Sequence, residues 1–119
     1  MNYIEGKDRY QGTLFPEVID DYITNDNPVR VIDIFVDRLD LFSLGFKENS
    51  INGRPSYNPK DMLKLYIYGY FNKIRSSRNL EKETQRNIEL MWLLNKLTPD
   101  NKTISRFRKD NAKVLKNVF

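Results

Sequence analysis

The sequence predicts an all-α domain: a compact bundle of about five helices, with a variant helix-turn-helix near the C-terminus. Three observations predict it. Apolar residues recur at three- and four-residue spacing in several separate segments. The pairs Asn27-Pro28 and Asn58-Pro59 each join a capping side chain to a proline at the first helical position. No segment alternates polar and apolar residues between hairpin turns, as a half-buried strand would.

Residues 1–26 read as a partly irregular lead-in. Tyr10 to Pro16 is extended in this reading, because a residue before proline avoids the helical region. Glu17 to Tyr22 is expected to make one helical turn. The first helix starts at Asn27-Pro28 and carries Val29, Ile32, Val36 and Leu39 at helical spacing. It is expected to end near Leu44-Gly45, where glycine accepts a left-handed conformation. Residues 46–58 are a polar connection through Gly53-Arg54-Pro55. A second, central helix follows Asn58-Pro59, with apolar residues around most of its circumference; Gly69 within it points to close packing. Ser76-Ser77 caps a third helix over about Arg78 to Arg86. Asn87 breaks the pattern, and Ile88, Met91, Trp92 and Leu94 or Asn95 mark a short fourth helix.

The fifth helix follows the turn Leu97-Thr98-Pro99-Asp100. Wound at about 100° per residue, Lys102, Arg106, Lys109, Lys113 and Lys116 fall within about 80° of one another. Ile104, Phe107, Asn111, Val114, Leu115 and Val118 gather on the far side. One face suits water or phosphate and the other a core. The same pattern also fits an ordinary surface helix with solvated lysines.

Composition narrows the function classes. The 119 residues suffice for one small domain with a real core. Hydrophobic residues make up 39% and charged residues 30%, the balance of a soluble globular chain. No apolar run is long enough to cross a membrane, and the N-terminus lacks a signal-peptide pattern. With neither cysteine nor histidine, disulfides, thiolate metal sites and the commonest general base are excluded. A cytoplasmic, nucleoid-associated location is the expectation. The net charge of +4 hides an asymmetry: residues 1–50 carry −5 and residues 51–119 carry +9. A basic C-terminal portion points to a polyanion partner.

Two basic clusters are candidate contacts to double-stranded DNA. The first opens the fifth helix: Lys102, Thr103, Ser105, Arg106, Arg108 and Lys109, with Lys113 beyond. Recognition helices present base-reading groups in their N-terminal part, and arginine can pair with guanine through two hydrogen bonds. The preceding helix and the turn at Lys96 to Asn101 complete a helix-turn-helix with a longer turn than usual. The second cluster is Arg75, Ser77 and Arg78 at the start of the third helix, suited to a phosphate or to simple capping. Asp33, Asp37 and Asp40 share one side of the first helix and read as a solvated face rather than a metal site. Asp20 and Asp21 point apart and make no catalytic pair. Among the aromatics, burial is the expectation, with Tyr68 the best candidate for exposure.

Several segments, in order, resemble a known family. They are Leu14-Phe15-Pro16, Asp21-Tyr22-Ile23, Pro28 to Asp33, Gly53 to Pro59, Leu63 to Tyr70, Ile74 to Arg78 with Leu80-Glu81, Arg86 to Glu89 with Met91-Trp92-Leu93, and Lys102 to Arg108. The chain resembles the N-terminal helical domain of bacterial insertion-sequence DDE transposases from about Gly12 to Asn111. The resemblance implies that residues 1–119 form a single N-terminal domain. A downstream catalytic domain would hold the acidic triad and its divalent metal (magnesium). The pattern stops at Phe119 mid-helix, which fits the front part of a longer polypeptide. The segment itself is expected to be no enzyme and to hold no cofactor. It is expected to recognise the element's terminal inverted repeats. The alternatives are a protein-interaction or dimerisation module, with self-association, or a small helix-turn-helix transcriptional regulator.

Overall fold

Most helices in the structure start at a polar side chain that closes the first turn. The computed structural model describes residues 3–6, 8–10, 18–47 and 56–118, and among them seven helices form. Asn27 accepts a hydrogen bond from the Val29 backbone N–H at 2.9 Å and starts α1 (Pro28–Asp37). Asn58 does the same for Lys60 at 2.9 Å and starts α3 (Pro59–Phe71). Ser76 caps α4 (Ser77–Arg86), Asn87 caps α5 (Ile88–Leu93), and Asp100 caps α6 (Asn101–Asp110). Each cap satisfies an amide that a helix start would otherwise leave without an acceptor. A 3-10 turn over Ile19–Tyr22 precedes α1, close to the helical turn expected there.

Two helices read as continuous are divided. The first breaks at Arg38, and α2 (Leu41–Leu44) restarts from Asp40, whose carboxylate accepts from the Ser43 amide and hydroxyl. Gly45, at φ 101°, ends α2 as expected. The last helix bends at Asn111, and α7 (Ala112–Val118) continues beyond it. The Asn111 side chain causes the bend. It is buried, donates to the Phe107 carbonyl at 3.0 Å and accepts from the Lys47 amide at 2.9 Å. Apolar periodicity runs straight through both breaks, so spacing alone does not reveal them.

The expected extended run at residues 11–16 and the Gly53-Arg54-Pro55 connection lie outside the described residues. Two strands too short to leave a sequence pattern, β1 (Tyr3–Ile4) and β2 (Ser56–Tyr57), pair in parallel, Tyr3 opposite Ser56.

The core lies among α1, α3, α4 and α5, around the fully enclosed Leu63, Leu80, Leu90, Leu93 and Leu94. From α6 and α7, Ile104, Phe107 and Leu115 close it. Gly69 permits a close approach in the core: a Cβ there would stand 2.8 Å from the Ile74 carbonyl oxygen and 3.0 Å from a Leu80 methyl. The chain turns sharply after α3. The Ile74 amide donates to the Gly69 carbonyl at 2.8 Å, with Lys73 in the left-handed region at φ 59°. The same turn, made with Asn95 and Lys96 at φ 52° and 65°, ends α5.

Asp33 does not join a solvated face. Its carboxylate is buried and accepts from Arg9 at 2.8 and 3.2 Å and from buried Lys64 at 2.7 Å. Lys64 also reaches Asp37 at 2.9 Å. Sequence spacing missed this because Arg9 and Lys64 come from distant segments. Among the described residues no group of three or more acidic side chains could hold a metal ion.

Beside this network, burial pushes the Asp61 carboxyl up to about 6 from its ordinary 3.8, with the anions Asp37 and Asp33 adding to the effect against Lys64 and Arg9. A carboxyl raised in the folded state stabilises fully below its ordinary value and loses that contribution as pH rises through about 6. Stability is therefore expected to gain on the order of 1–3 kcal/mol between about pH 7 and pH 4. Asp61→Asn should flatten that interval in urea titrations at several pH values.

Candidate nucleic-acid interface

The two basic clusters predicted from sequence lie close together, one mostly on α6 and the other around the start of α4. α6 packs most closely on α4, rather than on α5 as a simple two-helix unit would have it. Three hydrophobic side chains explain its seat: Ile104 and Phe107 face the core, and Phe107 stacks on Phe46 with ring centroids 6.0 Å apart. A turn with buried Leu97 and Pro99 brings the chain from α5 to the Asp100 cap.

That seat turns Lys102, Arg106 and Lys109 outward, all three exposed. Among the described residues none of them forms an ion pair, and neither do Arg75 and Arg78. Asp100 lies close enough to feel the fields of Lys102 and Arg106, but its carboxylate is engaged by the Thr103 amide at 2.8 Å. Hydrogen bonds from Thr103 hold the Asp100 carboxyl below its ordinary value. It stays an anion and a cap.

The other predicted residues divide differently. Ser105 donates to Ser77 across the α4–α6 seam at 2.9 Å. Arg108 is half-buried, donates to the Arg75 carbonyl at 2.5 Å, and lies 5.7 Å from the Tyr66 ring centroid. Thr103 is half-buried beside the cap. Lys113 is exposed on α7, beyond the Asn111 bend, so the cationic strip of α6 ends at Lys109. Arg75 and Arg78 are exposed around the N-terminus of α4, with Ser76, not Ser77, as the cap.

The aromatic expectation is corrected. Tyr68 is buried, donates its hydroxyl to Glu89 at 2.6 Å and accepts from Asn87 at 3.0 Å. Burial and the Glu89 carboxylate push its phenol up from the ordinary value. Tyr70 and Phe71, at the end of the same helix, are exposed instead.

A family model described as Transposase domain (DUF772) matches residues 17–110. The chain belongs to this transposase-domain family. No curated protein and no solved structure matches it. The matched stretch of the transposase domain runs from just before the 3-10 turn to the last residue of α6. It therefore contains both basic clusters, while α7 and Lys113 fall outside it. No helix among the described residues is long and apolar enough to cross a membrane.

Proposed function

We propose that this transposase domain binds double-stranded DNA, recognising the terminal inverted repeats of its mobile element. In this reading Lys102, Arg106 and Lys109 of α6 lie along a groove as a variant helix-turn-helix. Arg75 and Arg78 at the start of α4 hold a neighbouring phosphate. One observation carries it: five cationic side chains, three on α6 and two around the start of the touching α4, face solvent, and among the described residues none has a carboxylate partner. The strand-cutting chemistry and its divalent metal belong, in the same reading, to a catalytic domain outside this segment.

Each phosphate neutralised adds about 0.9 to the slope of log affinity against log salt. An anisotropy titration against the element's end sequence is expected to show a slope of several units. Binding that ignores salt, or none at low salt, would sink the reading. Arg106→Ala is expected to cost about 1–3 kcal/mol on the end sequence and less on random duplex, as a base-reading arginine should.

The outer face of α1 supports a second reading, subunit pairing. Val31, Ile34 and Phe35 are 67%, 52% and 47% exposed on the side opposite the core. Apolar clusters of this kind mark interaction surfaces. A rise in mass with concentration by light scattering, abolished by Ile34→Glu, is the expected result; a monomer throughout would remove it.

A further inference from the structure

Asn101, Ser105 and Arg108 stand at i, i+4 and i+7 on α6, along one face of the helix. Their partners on α4 and its lead-in run the opposite way. Glu81 accepts from the Asn101 amide and side chain at 3.1 and 2.9 Å, Ser77 accepts from Ser105, and the Arg75 carbonyl accepts from Arg108. The three rungs form a polar ladder between the helices. The cationic face of Lys102, Arg106 and Lys109 lies one residue further round.

We infer that Arg108 is a positioning residue: it ties the segment carrying Arg75 and Arg78 to α6, so that both basic clusters meet one DNA duplex as a rigid unit. The inference rests on the DNA-binding reading above. The guanidinium is committed within the protein. One of its donors is on the Arg75 carbonyl, and its plane lies near the Tyr66 ring. A planar fork can bond and stack at once, whereas a lysine ammonium is a compact point charge and cannot. Without the tie, Arg75 and Arg78 must be ordered when DNA arrives, and that ordering is subtracted from affinity.

The test uses the full chain and a mixed-sequence duplex of about three helical turns, read by anisotropy across a salt series. The variants are Arg108→Lys, Arg108→Ala, the pair Arg75→Ala with Arg78→Ala, and that pair combined with Arg108→Lys. Arg108→Lys is expected to weaken binding roughly 3–10-fold, as Arg108→Ala does, and to lower the salt slope by about 1–2. Added to the Arg75/Arg78 pair, it should cause no further loss, because its effect passes through those residues. Wild-type binding by Arg108→Lys overturns the inference and makes Arg108 a direct phosphate contact. Losses that add also overturn it, and so does a lowered Tm with an unchanged salt slope, which would mark a role in stability alone. If the unaltered chain fails to show salt-dependent binding, the DNA reading itself falls and takes this inference with it.

Discussion

Asp33→Ala is expected to destabilise the domain by about 3–5 kcal/mol, a large share of the 5–15 kcal/mol that typically holds a domain folded. The carboxylate is the shared anion of two cations. Arg9 reaches it with two nitrogens and Lys64 with one, and Lys64 is 5% exposed. Removing the anion leaves Arg9 without its ion partner and Lys64 with the more exposed Asp37 only. An unpaired buried charge costs more than the original pair contributed. Burial opposes ionisation of Asp33, yet the hydrogen bonds from Arg9 and Lys64 outweigh it and hold the carboxyl below its ordinary value. A lowered carboxyl contributes stability above its ordinary value and loses it as pH falls further. The gap between the unaltered chain and Asp33→Asn should therefore narrow in acid. Urea midpoints at neutral and acidic pH measure both effects. A loss under 1 kcal/mol at neutral pH would mean that water reaches the two cations.

Trp92→Ala is expected to cost a similar 3–5 kcal/mol. The ring is 2% exposed and its indole N–H donates to Asp20 at 2.7 Å. The Arg9 and Arg30 guanidinium carbons lie 4.2 and 4.9 Å from its centroid. Arg30 also bonds Asp20 at 2.9 Å and the Ile23 carbonyl at 2.7 Å, so one tryptophan gathers the 3-10 turn, α1 and the N-terminal segment. Two contributions separate by substitution. Trp92→Phe keeps most of the apolar area and a ring face for the cations but loses the hydrogen bond, so about 1–2 kcal/mol is expected. Chemical denaturation of both variants checks the ordering. Equal losses would assign the effect to the Asp20 bond, and a Phe variant like the unaltered chain would assign it to packing.

Local chemistry was legible in the sequence, and distant pairing was not. Asn27, Asn58 and Ser76 cap helices because capping needs only a side chain and the amides two or three residues on, all within one short window. Gly45 announces its left-handed turn by lacking a Cβ. Lys73 and Asn95 make equivalent turns with side chains that signal nothing of the kind. The bend at Asn111 depends on Lys47, whose amide is brought there only by the completed fold. Tyr68 misleads for the same reason, since Asn87 and Glu89, the cap and first turn of α5, supply partners for its hydroxyl. On α6, spacing grouped Lys102, Arg106 and Lys109 on one face, and all three are exposed. It could not tell them from Ser105 and Arg108, because the residues that occupy those two belong to α4 and its lead-in.

The N-terminal segment reaches the interior through Arg9, while Tyr3 is paired with Ser56 far along the chain. Trimming ten residues from the start would thus be no cosmetic shortening. It would withdraw a counter-ion from the centre of the molecule and strip a cation from the tryptophan in one cut.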